Sequence, residues 1–389
     1  MAKWNYVKIG DVCTVERGGS PRPIDKFITD DPNGINWIKI GDATDSMYIT
    51  ETAQKIIPEG MKKSRYVQPD DFLLSNSMSF GRPYILKIDG CIHDGWLVLR
   101  DNGGVFDKRF LYYYLSSPST YQKFKNMAVG GVVNNLNSDM VRGVTVPIPK
   151  MEEQIEIVQT LDNVSNLIFL RKQQLAKLDE LVKARFVEIF GIYPANPKGW
   201  ETGTIRDVVS DVRYGSSRPA VDGGKYPYLR MNNITYGGEL DLSDTKRIDI
   251  PDNELDKCTV RRGDVLFNRT NSKELVGKTC VYNRDDMMVL AGFVIRVRVS
   301  ERILPEFLSE FLNTEFSKQM LLAMCKTAIG QANINAQEMQ NIGLYLPPIE
   351  LQRKFVQFKE QTDKSKVAVQ KALDEAQLLF DSLMQKYFG

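Results

Sequence analysis

Apolar residues alternate at spacings of four and three in two long stretches of the chain, one near its middle and one at its end. The first stripe is formed by Ile157, Leu161, Val164, Ile168, Leu175, Leu178, Val182 and Ile189. The second, with Thr362 and Ser365 in its middle, is formed by Phe355, Phe358, Val369, Leu373, Ala376, Phe380 and Leu383. Such spacing lines one side of an α-helix with apolar side chains that must be covered. We therefore predict two long helices paired as an antiparallel coiled coil; the alternative is that each packs only on its own domain.

Residues that favour helix ends flank the first stretch. Pro147 and Pro149 precede it, and Gly191 and Pro194 follow it. Proline is compatible with the start of a helix, and glycine is common just after its end. A helix between these residues would span roughly 58 Å.

The rest of the chain alternates short β-like runs with turns. Runs rich in β-branched and aromatic residues, such as INWIKIG (35–41) and FVIRVRV (293–299), are separated by turns that contain glycine or asparagine. Two helix-like stretches occur among them, FLYYYLSSPSTYQKF (110–124) and EFLSEFLNTEFSKQMLLAM (306–324). This order predicts an α+β fold in which each domain is built on a strongly twisted sheet with helices.

The chain is a tandem repeat. PKMEEQIEIV (149–158) and PPIELQRKFV (347–356) share the pattern Pro-x-x-Glu-x-Gln, and RGGSPRP (17–23) matches RYGSSRP (213–219). The offsets of these two matches, 198 and 196 residues, are nearly the same, which indicates a duplicated unit. We predict a first domain at 1–148, a first long helix at 149–191, a second domain at 192–346 and a second long helix at 347–389.

Composition narrows the class of protein. The chain has 389 residues, more than one hydrophobic core usually serves, and its 51 Lys and Arg against 49 Asp and Glu give a net charge of +2. No run approaches the roughly 18 apolar residues of a membrane span, and the N-terminus has no apolar signal region, so we expect a cytoplasmic protein without a membrane partner. The five cysteines show no CxxC spacing and His93 is the only histidine. A disulfide framework and a zinc site are therefore excluded.

The sequence contains no recognisable catalytic constellation. GKT (277–279) resembles the end of a phosphate-binding P-loop, but Ser272 occupies the position where that loop needs glycine. His93 next to Asp94 could serve as a base and its orienting group. We interpret His93 instead as a structural residue, because its counterpart in the repeat is Leu290.

Three polar loops in each domain combine small residues with Arg, Lys, Asn and Ser, which are the side chains that contact phosphates and purine edges. In the first domain the candidates for DNA contact are Arg17, Ser20, Arg22, Lys39, Asn76, Ser79, Arg82, Asn134 and Asn135. In the second they are Arg213, Ser216, Arg218, Arg230, Asn232, Asn268, Arg269, Asn271, Lys273, Gln331 and Asn333. The glycines in these loops would let the backbone approach a phosphate. For any single loop the alternative is that it is polar because it is solvated.

These features together resemble the specificity subunits of Type I restriction-modification systems. The resemblance covers essentially the whole chain and rests on the Pro-x-x-Glu-x-Gln entry to each long helix, on the early loop pair, on GDVLFNR (263–269) and on the order of domains and helices. The second copy of the motif departs from the family in reading Leu-Gln-Arg where Glu-Gln is usual. GGVVNNLN (130–137) is also looser than the usual Gln-x-Asn-Ile loop, which GQANIN (330–335) matches.

The resemblance implies two target recognition domains, each reading one half of a bipartite site in double-stranded DNA. Because the loops of the two domains differ, the site is expected to be asymmetric. The coiled coil is expected to dock methyltransferase subunits, two of them, and restriction or translocase subunits. The chain itself would be non-catalytic and bind no cofactor, with S-adenosylmethionine, ATP and Mg²⁺ bound by the partner subunits. A stand-alone DNA-binding regulator, a nuclease or hydrolase with an unrecognised site, and an adaptor that binds no DNA are the alternatives.

Overall fold

The computed structural model describes residues 4–77, 80–128, 135–328 and 331–389. Their contacts divide the chain into two compact units. The first comprises Met1–Lys172 with Lys371–Gly389, and the second comprises Gln173–Gln370. Each unit therefore contains one repeat of the mixed domain and a part of each long helix.

The first unit begins with a mixed domain of short strands and helices. Its strands are β1 (Asn5–Lys8), β2 (Cys13–Arg17), β3 (Ile28–Thr29), β4 (Ile35–Ile38), β5 (Tyr48–Ile49), β6 (Lys55–Ile56), β7 (Arg65–Val67), β8 (Phe72–Ser75), β9 (Pro83–Leu86), β10 (Gly90–Ile92), β11 (Trp96–Asp101) and β12 (Thr145–Ile148). Its helices are α1 (Ile9–Val12), α2 (Pro58–Met61), α3 (Lys108–Ser116), α4 (Pro118–Ala128) and α5 (Ser138–Arg142), after which the long helix α6 (Met151–Phe190) begins.

The second unit repeats this arrangement. Its strands are β13 (Glu201–Thr204), β14 (Val209–Tyr214), β15 (Tyr226–Leu229), β16 (Lys246–Ile248), β17 (Thr259–Val260), β18 (Val265–Asn268), β19 (Thr270–Asn271), β20 (Thr279–Val281), β21 (Met288–Leu290), β22 (Val294–Val299), β23 (Lys326–Ala328), β24 (Gln331–Asn333) and β25 (Gly343–Leu346). Its helices are α7 (Asp252–Cys258), α8 (Pro305–Asn313), α9 (Glu315–Met324) and α10 (Ala336–Gln340), after which the second long helix α11 (Ile349–Phe388) begins.

The strand order confirms the duplication. In the first unit one sheet runs β2-β11-β8-β9-β5 and the other runs β3-β6-β4-β10-β7. The second unit has β14-β22-β18-β20 and β16-β15-β21-β17, which are the same orders without the outermost short strands. The predicted α+β fold is thus confirmed, but each domain has two main sheets where the sequence analysis predicted one. A further sheet, β19-β24-β23, lies in the second unit.

The cores explain the apolar stripes of the long helices. In the first unit, Ile157 and Leu161 of α6 share a core with Met384 and Phe388 of α11. The start of one long helix therefore packs beside the end of the other, against the sheet and α3. In this unit the two helices run in opposite directions, and both also contact the domain.

The second unit shows the reverse combination of helix ends. Phe186 and Phe190, near the end of α6, share a core with Phe355, near the start of α11, and with Phe307 of α8. The ring centroids of Phe186 and Phe355 are 5.2 Å apart, in an edge-to-face arrangement. The antiparallel coiled coil is confirmed. Both long helices also pack on the domains, so the two predicted arrangements occur together. Within the described ranges, none of the helices combines the length and apolar character that a membrane crossing needs.

The glutamine of the repeated motif connects each long helix to the domain before it. Gln154 is fully buried in the first turn of α6. Its Oε1 accepts the backbone N–H of Asp107 at 2.8 Å, and its Nε2 donates to the carbonyl oxygens of Val105 at 2.9 Å and Pro149 at 3.0 Å. Asp107 is the N-cap residue of α3, so one amide fixes the start of two helices relative to each other.

Gln352 does the same in the second unit. It is also fully buried, and its Oε1 accepts the backbone N–H of Leu304, the N-cap residue of α8, at 2.8 Å. Its Nε2 donates to the carbonyl oxygens of Pro347 at 2.8 Å and Arg302 at 3.3 Å. The Pro-x-x-Glu-x-Gln motif is therefore explained by its last residue, which satisfies buried backbone groups on both sides of the junction.

Replacing Gln154 by alanine should destabilise the first unit by about 3 kcal/mol, because it leaves one backbone N–H and two backbone carbonyl groups of the junction without the partner that the buried amide supplies. Denaturant unfolding followed by tryptophan fluorescence measures this, since three of the four tryptophans precede residue 100. The matched control is Gln159→Ala, an exposed position on the same helix, which should change stability by less than about 0.5 kcal/mol. Equal effects of the two substitutions would contradict the role given to Gln154.

Candidate nucleic-acid interface

Two glycines allow the first polar loop of each domain to cross a neighbouring strand end. A β-carbon added at Gly18 would lie 2.2 Å from the carbonyl oxygen of His93, and one added at Gly215 would lie 2.2 Å from that of Leu290. These glycines are therefore needed for contact between two segments of the protein itself. Approach to a phosphate, which the sequence suggests for the small residues of this loop, is a separate requirement.

Four predicted residues of the first domain converge on Asp94, in the loop between β10 and β11. The carbonyl oxygen of Asp94 accepts from Arg17 Nε and from Asn76 Nδ2, each at 3.0 Å. Its carboxylate Oδ1 accepts from Ser20 Oγ at 2.8 Å, and its Oδ2 lies 3.7 Å from Arg22 Nη2. The first and second polar loops, distant in the sequence, thus meet at one residue.

His93 is held as a neutral ring beside this carboxylate. Its Nδ1 accepts the backbone N–H of Gly95 at 2.9 Å, so the ring proton lies on Nε2, 3.1 Å from Asp94 Oδ1. Burial lowers the pKa of His93 and outweighs the opposite effect of Asp94. Burial also disfavours ionisation of Asp94, but the hydrogen bond from Ser20 and the nearby charges outweigh it and lower its pKa. Asp94 is therefore a carboxylate at neutral pH.

The other predicted residues of the first domain are less closely grouped. Lys39 Nζ donates to Gln54 Oε1 at 2.7 Å, and Arg82 is exposed after the strand β8. Asn135 adjoins Leu136, whose N–H donates to the carbonyl oxygen of Asn76 at 2.9 Å, which connects the third loop to the second. Ser79 and Asn134 lie outside the described residues.

The first loop of the second domain is held by ion pairs. Arg213 donates to Asp211 at 2.8 Å, and Arg218 donates to both carboxylate oxygens of Glu254, at 2.7 and 3.2 Å. The hydrogen bond from Arg218 lowers the pKa of Glu254. Ser216 is buried, and its Oγ accepts the backbone N–H of Arg218 at 3.2 Å. This loop is therefore shaped before any ligand binds.

The second and third loops of the second domain are joined by the small sheet β19-β24-β23. In its register Asn271 lies opposite Ala332, and Asn333 lies opposite Thr270. The N–H of Ile334 donates to the carbonyl oxygen of Arg269 at 2.9 Å, as Leu136 does to Asn76 in the first domain. Gln331 is the first residue of strand β24 in this sheet. Lys273 is exposed on the loop that follows β19.

Arg269 is positioned by an aromatic ring. Its guanidinium carbon lies 4.9 Å from the centroid of the Tyr214 ring, within the range of a cation–π contact. Tyr214 in turn accepts the backbone N–H of Ala336 at 2.9 Å through its hydroxyl. Arg230 pairs with Asp244 at 2.9 Å, and Asn232 is exposed next to it.

Two predicted asparagines lie inside their domains. Asn76 is 1% exposed and Asn268 is 0% exposed. Asn268 Oδ1 accepts the N–H of Thr270 and its Nδ2 donates to the carbonyl oxygen of Leu275, both at 3.4 Å. In this structure neither side chain can reach a duplex, so the expected direct contact is replaced by a role in holding the loops.

Most of the chain matches a family of DNA specificity domains. The profile of the Type I restriction modification DNA specificity domain matches it twice, over residues 1–180 and 197–376. The chain belongs to this family. The two matched segments correspond to the two repeats, so the family assignment covers both.

Several relatives support the assignment. The Type I restriction enzyme EcoKI specificity subunit of Escherichia coli is 22% identical over 375 residues, 89% of this chain and 78% of the relative. The StySPI specificity subunit of Salmonella potsdam is 22% identical and covers 99% of this chain and 88% of the relative. The S subunit of M. genitalium, known from a crystal structure, shares the fold with a TM-score of 0.55 at 14% identity, over 100% of this chain and 96% of that one. A chain from a structural study of assembly and conformational transition of the type I R-M system gives a TM-score of 0.63 at 19% identity. The match covers 100% of this chain and 98% of that one.

Family membership changes how the polar loops are understood. DNA specificity requires side chains that contact base edges, and the polar loops of both domains carry Arg, Lys, Asn and Ser, which are residue types suited to such contacts. Among the described residues, no group of three or more His, Cys, Asp and Glu side chains is placed to hold a metal ion. Asp94, on which the first two loops converge, is not among the residues that the sequence predicts to contact DNA. Its adjacency to the only histidine was visible, but its partners come from loops that only folding brings together.

Replacing Gly18 by alanine should displace the first loop of the first domain, because the added methyl group would overlap the carbonyl oxygen of His93. We expect a loss of about 2 kcal/mol of stability. Thermal unfolding measures this loss. Gly41→Ala, where the added methyl group meets no atom within 4 Å, is the control and should leave the melting temperature nearly unchanged. A Gly18→Ala variant as stable as that control would show that the close approach is not required.

Proposed function

We propose that the chain is the DNA sequence-specificity subunit of a Type I restriction-modification complex and reads an asymmetric, bipartite site with its two domains. The observation that carries the proposal is that three loops, far apart in the sequence, are joined in each domain by hydrogen bonds or strand pairs. They bring together Arg, Lys, Asn and Ser side chains. Arg and Lys suit guanine, and Asn suits adenine, in the major groove.

The asymmetry follows from differences between equivalent loops. Gly18 and Gly215 are equivalent by their contacts, so His93 and Asp94 of the first domain correspond to Leu290 and Ala291 of the second. A polar, charged corner is thus replaced by apolar residues. Two surfaces with different hydrogen-bonding groups prefer different bases, so the two half-sites should differ.

The modest charge of the domains favours recognition inside a larger complex. The net charge of the whole chain is +2, and Arg213, Arg218 and Arg230 are each paired with an acid of their own domain. A lone DNA-binding protein would need more unpaired cations, because phosphate contacts supply most of the non-specific affinity. In our proposal, partner subunits contribute the remaining contacts.

The partners that we propose are methyltransferase subunits, two per chain, and restriction or translocase subunits. The names of the relatives, which are specificity subunits of restriction enzymes, support this. We place catalysis on the partners, together with S-adenosylmethionine, ATP and Mg²⁺. Exposed apolar residues on the long helices, such as Phe169 and Leu378, offer surface for such partners.

Methylation of host DNA tests the proposal. Cells that express the chain with the methyltransferase subunits of its host should methylate adenines in a bipartite motif with two unlike halves. Long-read sequencing detects the modified bases. Cells that lack only this chain should lose the motif. A motif that persists without the chain, or a palindromic motif, would contradict the proposal.

Replacing Arg269 by alanine should weaken recognition of the half-site that the second domain reads. A lost bidentate contact to a base costs ~1–3 kcal/mol, and we expect the same range for Asn271→Ala. The methylation rate on duplexes that carry the site measures the effect. Arg262→Ala is the matched control, since Arg262 is exposed in the same domain and pairs with Asp285 at 2.7 Å, away from these loops. If Arg269→Ala and Asn271→Ala methylate like this control, these residues do not read the site.

A further inference from the structure

The first domain contains an open cleft of about 860 Å³ at the place where its polar loops converge. Arg22, Lys39, Gln54, His93 and Asp94 are among the residues that line it. Arg22 and Lys39 were predicted from the sequence to contact DNA, whereas the other three were not. The cleft therefore combines expected cations with a carboxylate and an amide that have no assigned role.

One oxygen of Asp94 is available to a ligand. Its Oδ1 is engaged by Ser20 Oγ at 2.8 Å and faces His93 Nε2 at 3.1 Å. Among the described residues, Asp94 Oδ2 is paired with Arg22 alone, and its separation of 3.7 Å from Arg22 Nη2 is longer than a hydrogen bond. The side chain of Asp94 is 32% exposed. The carboxylate is thus held in one orientation through Oδ1, and Oδ2 keeps its capacity to accept a hydrogen bond.

Gln54 supplies a donor in the same cleft. Its Oε1 accepts from Lys39 Nζ at 2.7 Å. Because an ammonium group can only donate, this contact fixes the orientation of the amide and leaves its NH₂ group as the free end. Among the described residues, the NH₂ group of Gln54 has no hydrogen-bond acceptor. Acceptor and donor groups therefore line one cleft.

We propose that Asp94 is a specificity-determining residue of the first domain and accepts a hydrogen bond from the exocyclic amino group of an adenine or cytosine, with Gln54 as an accompanying donor. The inference rests on the proposed function, which it deepens by naming the chemistry that the first half-site must present. Adenine N6 and cytosine N4 are the amino groups exposed in the major groove. Guanine and thymine present acceptors there, which a carboxylate repels.

A carboxylate at this place is informative because of its charge. DNA phosphates repel it, so it weakens non-specific binding and has no use as a phosphate contact. The neighbouring cations Arg17, Arg22 and Lys39 can hold the backbone close while the carboxylate faces a base. This division agrees with the general rule that phosphate contacts position a protein and base contacts specify the sequence.

The second domain does not have this arrangement. The residue equivalent to Asp94 is Ala291, which is buried. The hydroxyl of Tyr228 donates to the carbonyl oxygens of Ser216 and Arg218 at 3.1 and 3.0 Å, which holds the first loop by other means. Loss of the carboxylate should therefore affect one half-site and leave the other unchanged.

The experiment uses the full chain in complex with the methyltransferase subunits of its host. Wild-type and Asp94→Asn complexes are compared by the methylation motif in host DNA, and by methylation rates on four duplexes that differ in one base of the affected half-site. We expect Asp94→Asn to lower discrimination at one position of one half-site by roughly tenfold or more. Affinity for unrelated duplex should stay the same or rise, because a negative charge is removed. Asp139→Asn, whose side chain is 90% exposed and pairs with Arg142, is the control and should keep the wild-type motif.

The outcomes separate this inference from the proposed function. If the wild-type complex produces no bipartite motif, the proposed function itself fails. If the wild type produces one and Asp94→Asn keeps it with full discrimination, or weakens both half-sites equally, the inference on Asp94 is overturned. If Asp94→Asn does not fold, Gln54→Leu decides the matter. A changed preference confined to one half-site supports the cleft as a reading site, and an unchanged motif overturns it.

Discussion

The buried amides of Gln154 and Gln352 fix each long helix to the domain before it. Each amide accepts the backbone N–H of the N-cap residue of α3 or α8 and donates to backbone carbonyl groups at the junction. A buried polar group that loses its partners costs far more than an average hydrogen bond contributes, so the junction is stable in one geometry only. A protein that reads two half-sites needs such a junction, because an angular error at the helix becomes a displacement at the distant loops. The same three-part contact occurs in both repeats, although the sequences around it have diverged.

Other polar contacts between helix and domain differ between the repeats. In the first unit Asp162 of α6 accepts from Arg109 and from Tyr113 of α3, both at 2.6 Å. In the second unit the acid belongs to the domain, where Glu310 of α8 accepts from Lys359 of α11 at 2.7 Å. The acid thus lies on the long helix in the first unit and on the domain in the second. The glutamine contact is therefore common to both repeats, whereas the ion pairs are specific to each. They favour the correct pairing of each helix segment with its domain, which a duplicated chain requires.

The sequence predicted the repeat and the regular elements well, because these depend on local periodicity and on helix-end signals. The structure begins α6 at Met151 and ends it at Phe190, and Gly191 adopts the positive φ of 85° expected after a helix. Prediction from the sequence fails where segments that are distant along the chain meet. Asn76 and Asn268 look like surface residues in a sequence, since nothing local distinguishes a buried asparagine from a solvated one. His93 has a half-buried ring, and the contacts of the neighbouring Asp94 come from loops separated from it by as many as 77 residues.

The ion pairs within the reading loops favour specific over non-specific binding. Arg218 and Glu254 have side chains that are 47% and 35% exposed, and ion pairs exposed to solvent in this way contribute little to stability. In the proposed function, such a pair orients the guanidinium before DNA binds, and a base edge replaces the acid at little cost. The same acid offsets the attraction of the arginine for phosphates anywhere on the duplex, so affinity for unrelated DNA stays low. Since specificity is the ratio between the two affinities, a surface whose arginines are paired with acids can discriminate well even though it binds weakly alone. This explains how a chain with a net charge of +2 can serve as the sequence-reading part of a larger assembly.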